Sequence, residues 1–124
     1  MMSKEELPIC PVATAIRVIG SKWKLMILSE LLKGTRRYNE LRYAIPQISQ
    51  KVLTENLKQM QSDGVVIRTA YAEVPPRVEY SLSELGAEIN TVMDYIGEWG
   101  ESYQAYVRNA DFELSAKRQA GQVY

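Results

Sequence analysis

No histidine occurs anywhere in this 124-residue chain, and cysteine occurs only once, at Cys10. The first absence removes the commonest general base and the commonest metal ligand. With a single thiol beside it, a nitrogen- or sulfur-rich zinc site within one chain is excluded. An internal disulfide framework is excluded too. Carboxylates remain, but no Gly-rich phosphate loop or nucleophile motif accompanies them. An enzyme is therefore disfavoured, and neither a metal nor a cofactor is expected. No run approaches the roughly 20 apolar residues needed to span a bilayer. Met1 to Pro8 mixes charges of both signs without an apolar stretch, unlike a secretion signal. A cytoplasmic protein without a membrane partner is expected.

What is present suits one compact domain covering residues 1–124. The apolar fraction, 46%, is that of an ordinary globular protein. Fifteen basic residues balance fifteen acidic ones, so the net charge says little. Its distribution says more. From Arg17 to Arg77 there are eleven Lys/Arg against five Asp/Glu, a surplus of six; from Val78 to Tyr124 there are three against eight, a deficit of five. A basic middle followed by an acidic C-terminal part suggests a nucleic-acid face built by one segment.

Apolar spacing and punctuation divide the chain into elements. Cys10-Pro11 reads as a helix start, with Val12, Ile16 and Ile19 at helical spacing until Gly20. A second helix fits Lys22–Lys33, closed by Gly34. Thr35 to Tyr38 reads as a short basic connector. Asn39 suits the N-cap of a short helix ending near Ile45, since Pro46 disfavours a helical residue before it. Ser49 can cap a fourth helix running to about Ser62. Val65–Tyr71 and Arg77–Leu82 read as two strands of a hairpin, joined by Glu73-Val74-Pro75-Pro76. Ser83 then caps a long final helix whose apolar stripe includes Ile89, Met93, Ile96, Trp99 and Tyr103. Twenty-four residues span roughly 36 Å, more stripe than a monomer of this size can cover, so a homodimer is inferred. Gly97 and Gly100 mark either a bend or a close helix crossing. Beyond Arg108, the tail 109–124 is polar and expected to fray.

Helix, three-residue turn, helix and hairpin is the length and punctuation of a helix-turn-helix followed by a wing. Residues near the start of the second helix of such a unit meet base edges in a major groove. Here they are Ser49, Gln50, Lys51, Thr54 and Glu55, with Lys58 following on the same side. The alternative is an ordinary solvated helix face. Arg77, beside two prolines, can enter a minor groove; alternatively it pairs with Glu73 or Glu79. Lys22, Arg36 and Arg37 sit at helix starts and connectors, where phosphate contacts generally arise.

The segments Cys10-Pro11-Val12, Lys22-Trp23, Arg37 to Arg42, Ile48 to Leu53, Asp63 to Arg68, Val74 to Leu82 and Glu84-Leu85-Gly86 together resemble the HxlR family of bacterial regulators, near the MarR-type winged helices. The resemblance covers about three quarters of the chain. It implies an α+β, mainly α fold: a winged helix-turn-helix with a DNA-reading unit at about 35–82 and a two-stranded wing. It implies N- and C-terminal dimerisation helices at about 10–20 and 84–108, with Ile16 joining the stripe of the last helix. It further implies a repressor or activator that binds double-stranded DNA at a short inverted repeat. Two departures stand out, Ser21 where glycine is usual and Tyr38 where phenylalanine is common. Neither is expected to touch the base-reading surface. The resemblance also makes Cys10, at a helix start, a candidate sensor of oxidants or electrophiles. The alternative is a small packing residue. Two other readings remain: a winged helix that docks another protein, and a dimer that holds a small aromatic effector among Trp23, Tyr95, Trp99 and Tyr103.

Overall fold

Pro11 opens α1 (Pro11–Ile19) because a first-turn N–H would have no intrahelical partner there. The computed structural model describes residues 1–119 and 121. The helix stops at Gly20, where an added Cβ would collide with the Ile16 carbonyl oxygen. Ser21 caps α2 (Lys22–Leu32), its hydroxyl accepting the Lys24 N–H at 3.2 Å. The helix-turn-helix follows as α3 (Tyr38–Ala44) and α4 (Gln50–Ser62). Between them Gln47 takes a left-handed φ of 68°, which turns the chain while Ile45 and Ile48 remain buried. Ser49 caps α4 by accepting the Val52 N–H at 3.1 Å. Gly64, at φ 81°, ends it, with the Val65 N–H returning to the Met60 carbonyl.

The sheet has three strands rather than two. β1 (Arg36–Arg37), β2 (Val66–Tyr71) and β3 (Arg77–Leu82) are antiparallel in the order β1-β3-β2. Arg36 pairs with Tyr80 and Arg37 with Glu79, so the expected connector is an edge strand. That pairing also corrects the start of α3. Arg37 is held extended by β3, and its N–H is taken by Glu40 Oε1 at 2.9 Å. Arg37 is therefore the N-cap, and the intrinsically better cap, Asn39, lies inside the helix.

Ser83 caps as expected, accepting the Gly86 N–H and donating to the Gly64 carbonyl at 2.6 Å. The helix it opens is short, however. α5 (Glu84–Ala87) ends at Glu88, whose N–H is shared between the Glu84 and Leu85 carbonyls, and α6 (Ile89–Gln119) begins afresh. Gly86 allows α5 to sit against the Val65 carbonyl, which a Cβ would strike. α6 runs past Arg108 to Gln119 instead of fraying there; Ala110, Glu113, Leu114, Ala116, Lys117 and Arg118 are strong helix formers. The rest of the expected tail, 120 and 122–124, lies outside the described residues.

The chain divides into two compact units, Met1–Asn90 and Thr91–Tyr124. In the first, Ile27, Leu28 and Leu31 of α2, Leu41 of α3, and Leu53, Leu57 and Met60 of α4 meet Val66 and Tyr80 of the sheet in one core. The second carries most of α6. Its Trp99 and Tyr103 rings stack at 5.7 Å, and among the described residues nothing but the helix's own backbone lies within 4 Å of where a Cβ would sit at Gly97 or Gly100. No described helix is long and apolar enough to cross a membrane.

Candidate nucleic-acid interface

α4 is held from one side and open on the other. Leu53, Leu57 and Met60 are buried, whereas Gln50, Lys51, Glu55 and Lys58 are exposed and Thr54 is half-buried. The positions 51, 55 and 58 follow helical spacing, so their side chains share one face. Ser49, also exposed, uses its oxygen as the cap and keeps its hydroxyl proton. The face thus offers donors, acceptors and two cations on a helix whose orientation is fixed by its core side.

Basic side chains stand on other elements of the same unit. Lys22 is exposed, with its ammonium 4.7 Å from the Trp23 ring centroid. Arg37 and Arg42 are exposed, and Arg36 is half-buried, donating to the Thr35 carbonyl at 3.1 Å. Arg68, on β2, is an exposed cation that the sequence reading passed over. It counted toward the basic surplus, but only the strand register sets it beside Tyr80, in line with Arg36.

Arg77 is already engaged within the wing. Its Nη1 lies 2.8 Å from Glu79 Oε1 and its Nη2 3.0 Å from Glu73 Oε1, so both partners raised as alternatives are used at once. The guanidinium also lies 3.9 Å over the Tyr71 ring, its direct cross-strand neighbour. Its buried Nε has no partner among the described residues.

One expectation fails outright. Tyr38 does touch the expected base-reading surface on α4: its hydroxyl lies 3.0 Å from the Gln50 carbonyl oxygen and 3.0 Å from Thr54 Oγ1. The contact spans 16 residues of sequence and exists only because β1 delivers α3 beside the start of α4. No local pattern carries that signal.

The other candidates lie on other elements, α1 and α6. Cys10 is a free, exposed thiol at the start of α1, and its carbonyl accepts the Thr14 N–H at 3.2 Å. Of the stripe residues, Ile16 is 61% exposed, Ile96 44%, Trp99 69% and Tyr103 55%, which is unusual for such large apolar groups. Met93 is half-buried, and Ile89 packs against the core of its own unit. No cluster of metal-ligating side chains occurs among the described residues.

Comparison with known proteins adds to this geometry. The chain matches the HxlR-like helix-turn-helix family over residues 18–107. It is 42% identical over 102 residues to the uncharacterized HTH-type transcriptional regulator YdeP of Bacillus subtilis (strain 168), spanning 82% of this chain and 80% of that one. Among solved structures it is similar to the redox regulator HypR in its oxidized form, with 43% identity and a TM-score of 0.71 over 75% of this chain and 96% of that one. It is also similar to diamide-treated YodB from B. subtilis, with 32% identity and a TM-score of 0.66 over 78% and 97%.

Proposed function

Because the chain belongs to the HxlR-like helix-turn-helix family of transcriptional regulators, we propose that it is a sequence-specific regulator binding an inverted repeat of double-stranded DNA as a homodimer. α4 enters the major groove with Ser49, Gln50, Lys51, Thr54, Glu55 and Lys58, and the β2–β3 wing meets the adjacent minor groove. The observation that carries this reading is the two-sided character of α4: an exposed polar face on a helix locked from behind by Leu53, Leu57 and Met60. Lys22, Arg36 and Arg37 take phosphates. Arg77 enters the minor groove by exchanging Glu73 and Glu79 for the duplex, a feasible exchange because ion pairs that stay in contact with solvent, as these partly exposed ones do, are worth only about 1 kcal/mol each.

The exposed apolar groups Ile16, Ile96, Trp99 and Tyr103 support self-association, since large exposed apolar patches are rare on monomers, and half-buried Met93 and core-packed Ile89 are proposed to border them. Two units on a two-fold axis read half-sites about 34–36 Å apart. Selection of duplexes from a random pool, followed by a mobility shift on the selected sequence, tests the reading. The selected sites are expected to be inverted repeats, and affinity is expected to fall about a thousandfold or more between 50 and 200 mM salt if six or more phosphates are contacted. Salt-independent binding would refute the phosphate assignment.

A regulatory reading rests on a separate observation. Cys10 is exposed and unbridged, and two similar structures are of a redox regulator and of a diamide-treated protein. Oxidation or alkylation of this thiol is proposed to alter operator affinity. With no second cysteine in the chain, the product is a Cys10–Cys10 bridge across the dimer, a mixed disulfide or an alkylated thiol.

A further inference from the structure

Two hydroxyls on the base-reading face, Ser49 and Thr54, differ in what they can offer a base. The difference is set by hydrogen-bond direction. Tyr38 Oη is 3.0 Å from the Gln50 carbonyl oxygen. A carbonyl oxygen only accepts, so the single proton of the tyrosine is committed to Gln50. The 3.0 Å contact between Tyr38 Oη and Thr54 Oγ1 then needs a proton from the other side, and Thr54 is its only source. Thr54 therefore donates inward to Tyr38. It retains its lone pairs and its methyl group, and has no proton to give outward. Ser49 is the reverse case, for its oxygen accepts the Val52 N–H and its proton stays free.

A threonine hydroxyl ordinarily serves either a donor or an acceptor edge of a base. We infer that this fold removes that freedom: Thr54 reads only as an acceptor or through its methyl group, and Tyr38 is the positioning residue that makes it so. Thr54 thus accepts from an adenine or cytosine amine, or touches a thymine methyl, and does not donate to purine N7, guanine O6 or thymine O4. The inference rests on the proposed seating of α4 in the major groove.

The test uses the full chain and its selected duplex. Thr54→Ala locates the contacted base pair as the one whose preference it erases. At that pair each acceptor is weakened singly, with 7-deazapurine for N7, 6-thioguanine for O6 or 4-thiothymine for O4. The native protein is expected to bind these duplexes with affinity unchanged to within about twofold, because no proton points at them. Tyr38→Phe keeps the ring and frees the Thr54 proton, so one of the analogues is expected to cost about three- to tenfold. Adding Thr54→Val to Tyr38→Phe is expected to abolish that new sensitivity. A loss of general rigidity would instead weaken binding to every duplex alike, which would overturn the assignment of Tyr38. A native protein that already loses affinity on an acceptor-weakened duplex, with the loss abolished by Thr54→Val, would overturn the inference without any need for Tyr38→Phe to fold. So would a selected sequence in which Thr54→Ala erases no preference, although the DNA reading would survive. If the native protein selects no sequence at all, it is the DNA reading that fails.

Discussion

Exchanging Glu73 and Glu79 together for glutamine releases the Arg77 guanidinium from both ion pairs while keeping the shape of each side chain. The contacts are short, 3.0 and 2.8 Å, and the side chains involved are 22–51% exposed. Unit charges 4 Å apart attract by about 4 kcal/mol at an effective dielectric constant of 20. Solvent screening and the ordering of long side chains reduce such pairs to about 0.2–1 kcal/mol each. Together they oppose movement of Arg77 into a minor groove by about 1 kcal/mol, or roughly fivefold in affinity. The change also removes two negative charges, which favours any polyanion regardless of Arg77. A parallel measurement in an Arg77→Met background subtracts that contribution. Fluorescence anisotropy on the selected duplex near physiological salt gives the four affinities. The glutamine changes are expected to tighten binding about fivefold more when Arg77 is present than when it is methionine. Equal tightening in both backgrounds would refute groove entry by Arg77. It would leave the residue as a brace across the hairpin, stacked on Tyr71, with exposed Arg68 as the wing cation.

Leu53→Ala, at a fully buried position on the inner side of α4, is expected to cost about 2–5 kcal/mol in denaturant unfolding; a cost under 1 kcal/mol would mean that the helix is not locked from behind. Lys58→Ala is expected to lower the slope of log affinity against log salt by about 0.9 if the residue also takes one phosphate, and an unchanged slope would exclude that phosphate contact. Diamide is expected to change the operator affinity of the native protein and leave that of Cys10→Ser unaltered; identical responses would remove any sensing role from Cys10.

The helices were legible where apolar spacing and a cap agreed. Ser49 caps α4 through its own hydroxyl as its spacing implied, and Gly64 closes the helix at a positive φ, whereas the Ser21 cap of α2 was not read from the sequence. Local rules failed where a distant strand intervened. Asn39 is a good cap by composition, yet β1 holds Arg37 extended and moves the helix start forward. A two-residue strand has no period to recognise, and the partner of Arg37 lies at Glu79, far along the chain. Glu88 carries no Pro or Gly to announce the break between α5 and α6. The face proposed to read bases was visible as a polar stripe. Its hydrogen-bond polarity was not, because Tyr38 acts on Thr54 from a different helix.

These non-local contacts form one connected path. Glu79, which binds Arg77 near the wing tip, is the cross-strand partner of Arg37 on β1. Tyr38 follows Arg37 directly and grips the start of α4 through Gln50 and Thr54. Directly opposed residues in an antiparallel pair bring their Cβ atoms within about 5 Å, so the strand that carries the wing arginine also sets where α3 begins. A wing-tip change that only removes a DNA contact should weaken all sequences alike. One that shifts the register of β3 against β1 should instead alter the base preference assigned to Thr54. Measuring the preference at that base pair in Glu79→Gln therefore distinguishes release of Arg77 alone from transmission through the sheet, and a uniform change in affinity would mean that β1 insulates the two halves of the interface.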